Sequence, residues 1–259
     1  MDWLTGGKQG EAKRLIIQLA DANAAKREAA ARNLIDLGAD AVPPLLDALQ
    51  TKDLSLVLIY QQILARIPSA SPTLIKLLGT AHPVIRARAA DVFSINKNRA
   101  AIPALLDALQ GEYFTVRASA AKALGKIGDA NSIQPLRAAL QDRESEVRIA
   151  ACLALGLYKD PSTFDDIANI LLDDPLIEVR QAAARALGYT QHPAALPYLM
   201  EALHDSYWWY EREQAAGDLF NAIERIGPVA VEPLIEALQN KEGTVRRLAA
   251  GLLGRIRDP

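Results

Sequence analysis

One cysteine and three histidines are all the thiols and imidazoles in 259 residues, and aromatic side chains make up only 5%. The lone thiol, Cys152, can close no internal disulfide, which points to a reducing compartment and an expected cytoplasmic protein. The histidines stand apart in "AHPV", "QHPA" and "LHDS", and none precedes a glutamate. No HExxH, CxxC, GxSxG or glycine-rich phosphate loop occurs. The "LTGGKQG" near the start has a Gly-Gly-Lys but neither the P-loop spacing nor a preceding strand. No catalytic residue, metal site or bound cofactor is therefore expected. Charge of one sign is also missing. A net charge of −2 supplies no field to draw in a polyanion, which argues against nucleic acid as a partner. No apolar run approaches the ~18 residues of a membrane span. The opening "MDWLTGGKQGEAKR" has an early Asp and no apolar core, so no signal peptide is expected.

What the chain has is repetition. Proline-led apolar phrases such as "VPPLLDALQ", "IPALLDALQ" and "VEPLIEALQ" place anchor leucines at Leu19, Leu49, Leu78, Leu109, Leu140, Leu171, Leu203 and Leu238. The steps between them are 30, 29, 31, 31, 31, 32 and 35 residues. A second phrase keeps step: "TVRASAAKALGKIG", "EVRIAACLALGLY", "EVRQAAARALGYT" and "TVRRLAAGLLGRI", led by Arg117, Arg148, Arg180 and Arg246. Looser copies carry Arg27, Arg86 and Arg212. Apolar residues three, four and seven places after the arginine form one helical stripe, as Ala120, Ala121 and Leu124 do. Cys152 falls on an alanine place of this stripe and reads as a small buried hydrophobe. Proline suits the start of the first helix, and the glycine after Leu124, Leu155, Leu187 and Leu253 suits the end of the second.

Each repeat is therefore a pair of antiparallel helices. One pair cannot bury its own stripe, so the pairs must stack into a solenoid. About eight repeats follow, near 10–38, 39–69, 70–98, 99–128, 129–159, 160–190, 191–227 and 228–259, as one array. Six residues before the arginine stand Asp21, Asp142, Asp174 and Asn240, with Asp205 one residue further from its own Arg212. An aspartate there could meet the arginine of its own or the next repeat, in a ladder that aligns the stack.

The pattern D-x5-R-x-x-A-A-x-A-L-G-x-I-G, followed by a proline-led helix, resembles HEAT-like repeats. Its period is most similar to the subclass named after phycobilisome lyases. The resemblance covers nearly the whole chain and implies an all-α fold, a right-handed α-solenoid. It implies less about function, because one fold carries many. Some members of the subclass attach or detach bilins, an activity that usually involves a paired, related HEAT-like subunit. Many others are scaffolds or regulators. The deoxyhypusine hydroxylases, another HEAT-like family, hold iron with His-Glu pairs that this chain lacks.

Two repeats depart from the pattern. In the second, "LSLVLIYQQILARI" puts Val57 in the arginine place and Tyr60 and Gln61 in the alanine places. These residues either fill a wider joint or line a pocket. The seventh is long, and its "NAIERIG" continues the helix for about another turn. It also carries Tyr207, Trp208, Trp209 and Tyr210, either a cover for that joint or an interface anchor. The sixth lacks its proline, and Asp165 and Asp166 are expected to form a polar first turn.

The second helices of such an array are expected to line its concave face. Opposite the core stripe lie the places two, five and nine after the arginine. Candidate binding residues there are Arg88, Lys122, Lys126, Leu153, Leu157, Arg185, Tyr189 and Asn221, with Tyr207, Trp208 and Trp209 nearby. An apolar centre flanked by cations would seat a partner's helix or an acidic, aromatic ligand. The expected function is a non-catalytic scaffold binding a protein partner. The alternative, implied by the resemblance, is a bilin lyase subunit handling a linear tetrapyrrole.

Overall fold

A computed structural model describes residues 7–204 and 216–256. Among these the regular structure is helical, without a strand. Residues 1–127 and 128–259 form two compact halves. The first contains α1 (Gly7–Gln18), α2 (Ala24–Leu37), α3 (Val42–Ala48), α4 (Leu54–Ala65), α5 (Ser71–Thr80), α6 (Pro83–Asn96), α7 (Ile102–Leu109) and α8 (Phe114–Ile127). The second contains α9 (Ile133–Ala139), α10 (Ser145–Tyr158), α11 (Phe164–Asp173), α12 (Ile177–Thr190), α13 (Leu196–His204), α14 (Ala216–Ile226), α15 (Val231–Ala237) and α16 (Gly243–Arg255). The fold is an all-α solenoid of helical hairpins. Within each half the second helices pack on one another in chain order, α4 on α6 on α8, and α10 on α12 on α14 on α16.

Helix starts follow from the residues at the joints. A short 3-10 turn precedes each of α3, α5, α7, α9, α11, α13 and α15. Asn98, Asp129, Asp160 and His192 open four of these turns, each accepting a hydrogen bond from the N–H two residues on. Prolines then fall in the first turn of α3, α5 and α7, where a missing N–H costs nothing. In α11 the polar first turn instead reaches both neighbouring first helices. Asp166 pairs with Arg137 of α9 at 2.7 Å, and Asp165 accepts the Tyr198 hydroxyl of α13.

The alanine and leucine stripe is the core. Ala120, Ala121, Leu124, Ala151, Cys152, Leu155, Ala183, Ala184 and Leu187 are fully buried. Each leucine so buried contributes roughly 1.5–3 kcal/mol over an exposed one. Burial also pushes the Cys152 thiol up, far from thiolate reactivity. In the second repeat Tyr60 and Gln61 are only 4% and 3% exposed. Gln61 donates its amide N–H to the Arg88 carbonyl at 3.1 Å. The wide joint is thus filled by these two side chains.

The glycines of the A-L-G phrase do not end their helices. Gly156 and Gly188 lie two residues inside α10 and α12, where a neighbour comes too close for any side chain. A Cβ on Gly156 would stand 2.7 Å from the Ala186 Cα, and one on Gly188 would stand 2.7 Å from the Ala222 Cα. The helices end three residues beyond these glycines, at Lys159 and Gln191 in the left-handed region, φ 54° and 51°.

The arginine ladder also differs from expectation. In four repeats the arginine clasps the backbone of its own inter-helix turn, reaching the carbonyls six and five residues earlier, whereas Arg86 reaches back eight residues to the Leu78 carbonyl. Arg27 bonds Asp21 and Ala22 at 2.8 and 2.9 Å, and Arg117 bonds Gly111 and Glu112 at 2.9 and 2.7 Å. Arg148 and Arg246 repeat the contact. The Asp or Asn side chain accepts the N–H two residues on, as Asp21, Asp142, Asp174 and Asn240 all do. Asp174 does more: it takes both Nε and Nη2 of Arg148 from the preceding repeat, at 2.7 and 3.1 Å. With side chains 12% and 3% exposed, that pair is a buried tie between α10 and the turn before α12.

Candidate functional site

The outward places of the second helices alternate between paired charge and apolar surface. In the N-terminal half, Lys122 of α8 pairs with Asp91 of α6 at 3.1 Å. Lys126 is exposed in the last turn of α8. Arg88 turns away from this surface. Its guanidinium donates to the Leu49 and Thr51 carbonyls of the second repeat, the latter at 3.0 Å. Thr51 lies six residues before Val57, the place that the missing arginine would have clasped. Arg88 is therefore a borrowed clasp, and a groove contact only through what remains of its stem.

In the C-terminal half the candidates come together on α10, α12, α14 and α16. Leu157 is 40% exposed and Leu153, one turn earlier on α10, is half-buried. Tyr189 occupies on α12 the place that Leu157 holds on α10. Arg185, one turn before it, pairs with Asp218 of α14 at 3.1 Å. Arg225 lies over the Tyr189 ring with its guanidinium carbon 5.1 Å from the centroid, a cation–π contact. Asn221 accepts from Arg255 of α16 at 2.9 Å, and Arg255 also pairs with Glu224. Tyr207, Trp208 and Trp209 lie outside the described residues.

Asp218, Glu224 and Arg225 escaped sequence reading. The signal for Glu224 and Arg225 was the lengthened "NAIERIG": α14 runs to Ile226, fourteen places after Arg212, where α12 stops ten places after Arg180. That extra turn carries Glu224 and Arg225 onto the face. Two clefts also lie elsewhere. One of about 670 Å³ is lined by Pro43, Leu46, Leu77, His82, Val84 and Ile85, and one of about 330 Å³ by Met200, Pro233 and Glu236 among others. Among the described residues no three His, Cys, Asp or Glu side chains converge as a metal site. No described helix is long and apolar enough to cross a membrane.

The family profile for HEAT repeats matches residues 71–150 and 133–219, more than half of the chain. The chain belongs to the HEAT-repeat family. Within this HEAT-repeat protein, residues 26–51 also match the PBS lyase HEAT-like repeat. Among solved structures it is similar to YibA of Escherichia coli, with TM-score 0.52, 22% identity, and 97% of this chain and 98% of that one covered. An engineered protein gives TM-score 0.50 and 20% identity over 95% of this chain and 78% of that one. A chain from the complex of CpcE and CpcF of phycocyanin lyase from Nostoc sp. PCC7120 gives TM-score 0.49 and 21% identity over 98% and 97%. At these identities the likeness is one of fold. No curated protein matches the HEAT-repeat chain in sequence.

Proposed function

We propose that this HEAT-repeat protein is a non-catalytic scaffold that takes a partner's segment on the second-helix face of its C-terminal half. The observation that carries the reading is the apolar row Leu153, Leu157 and Tyr189 on two neighbouring helices, Leu157 40% exposed and the other two half-buried, with the Arg185–Asp218 pair one turn away. An exposed apolar patch with a polar rim is the usual form of an interaction site. Random peptides displayed on phage and selected on the protein test it. Selected peptides should lose roughly tenfold or more in affinity on Leu157→Glu. They should keep it on Ile17→Glu, a change at a 70% exposed residue of α1. Failure to select any peptide, or selected peptides indifferent to Leu157→Glu, would remove the proposal.

The PBS lyase HEAT-like match over 26–51 favours a second reading, a bilin-handling subunit. The carboxylates of a linear tetrapyrrole would need cations; on this face Arg185 and Arg255 are engaged by Asp218 and Glu224, which leaves Arg225 and Lys159 for them. A visible spectrum of a linear tetrapyrrole that is unchanged by adding the protein, with no transfer to an acceptor protein, would dispose of it.

A further inference from the structure

Resting on the scaffold reading above, the charge arrangement of the same face points to the chemistry of its partner: we infer that it takes an amphipathic protein segment whose apolar side chains are followed by carboxylates. The face is graded. At the α10 end it offers Leu153 and Leu157, then Tyr189 on α12. Toward α14 and α16 it turns polar through Asn221, Glu224, Arg225 and Arg255. Among the described residues three guanidinium groups stand across this gradient, on Arg185, Arg225 and Arg255, against two carboxylates, on Asp218 and Glu224. Two pairs form, and the surplus cation is Arg225. It is exposed, lies over the Tyr189 ring, and among the described residues is held by no carboxylate. Lys159, exposed two residues beyond Leu157, adds a second cation at the apolar end.

The stack on Tyr189 matters physically. A guanidinium held over a ring face spends none of its five N–H donors on a carboxylate, and those donors match one in a bidentate fork. Part of the ordering that a free arginine side chain would undergo on binding is thereby already done. A partner laying apolar side chains across Leu153, Leu157 and Tyr189 brings its next turn over Arg225. A carboxylate there completes the surface, whereas a lysine there meets an uncompensated like charge.

The test uses the full chain and three synthetic helical peptides. They share one leucine- and phenylalanine-bearing face and differ only in flanks of glutamate, glutamine or lysine. Titration by fluorescence anisotropy should rank them glutamate, glutamine, lysine, with about three- to tenfold between neighbours at low salt and less at high salt. Arg225→Glu should invert the order, and Leu157→Glu should abolish all three. Equal binding of the three peptides, still lost on Leu157→Glu, would overturn the acidic-segment inference and leave the scaffold standing. No binding by any of them, together with failure to select peptides, would remove both. A glutamate preference unchanged in Arg225→Glu would also overturn the inference, because some other cation would then be reading the charge.

Discussion

Arg88 supplies to the second repeat what Val57 cannot. In the first, fourth, fifth and eighth repeats an arginine four places into its own helix gathers the carbonyls of its turn. Here the next repeat reaches back to Leu49 and Thr51 while Gln61 holds the Arg88 carbonyl in return. Periodicity had placed Arg88 among the outward residues, and it is half-buried. What periodicity does not carry is where a long side chain ends. Arg88→Ala should cost about 1–3 kcal/mol, the range for charge-assisted bonds to carbonyls left without partners. Adding Val57→Arg should recover part of that loss, measured by urea unfolding of the single and double variants. Simple addition of two losses would show that the clasp is not transferable. The same limit applies to Arg185: its place in the sequence was legible, but its engagement by Asp218 depends on a residue 33 positions away.

Among helices, the A-L-G glycine shows how one motif can serve two masters. In sequence it marks the approach of a helix end, and glycine favours such ends. In the structure, at Gly156 and Gly188, it is a point of close contact between neighbouring second helices. Propensity and packing therefore predict opposite signs for replacement by alanine. Gly188→Ala should destabilise by about 1–3 kcal/mol, because the new Cβ would meet Ala222 backbone that cannot move without parting α12 from α14. Gly254 occupies the same repeat place on α16 with nothing within 4 Å. Gly254→Ala should be neutral or stabilising by up to about 1 kcal/mol. Thermal melts of the two variants separate the explanations, and equal effects would refute the close-contact account. The lengthened α14 was legible as a longer apolar pattern, whereas the meeting of its last turn with Tyr189 was not.

The molecule as a whole is a chain of local agreements. Each hairpin is completed by its neighbours, so stability is expected to behave as repeat terms plus nearest-neighbour terms. A lesion at Gly188 should then raise hydrogen exchange in α11 to α14 well before it raises exchange in α1 to α4. Mass spectrometry of exchange by peptide would read this, and a uniform rise along the chain would contradict it. By itself the sequence determined the helical hairpins, their period, the alanine and leucine core and the class of fold. Those properties come from short-range pattern: a 3.6-residue stripe, prolines at helix starts, and the need of each hairpin for a neighbour. Only the tertiary structure decided which arginines clasp turns, which cations on the outward face are already neutralised, and that Arg225 rests on Tyr189. The clasps within one turn span only five and six residues, but the pairings on the outward face and the Arg88 clasp join residues 31 to 39 positions apart, and their distances arise only once neighbouring helices have packed and set the spacing.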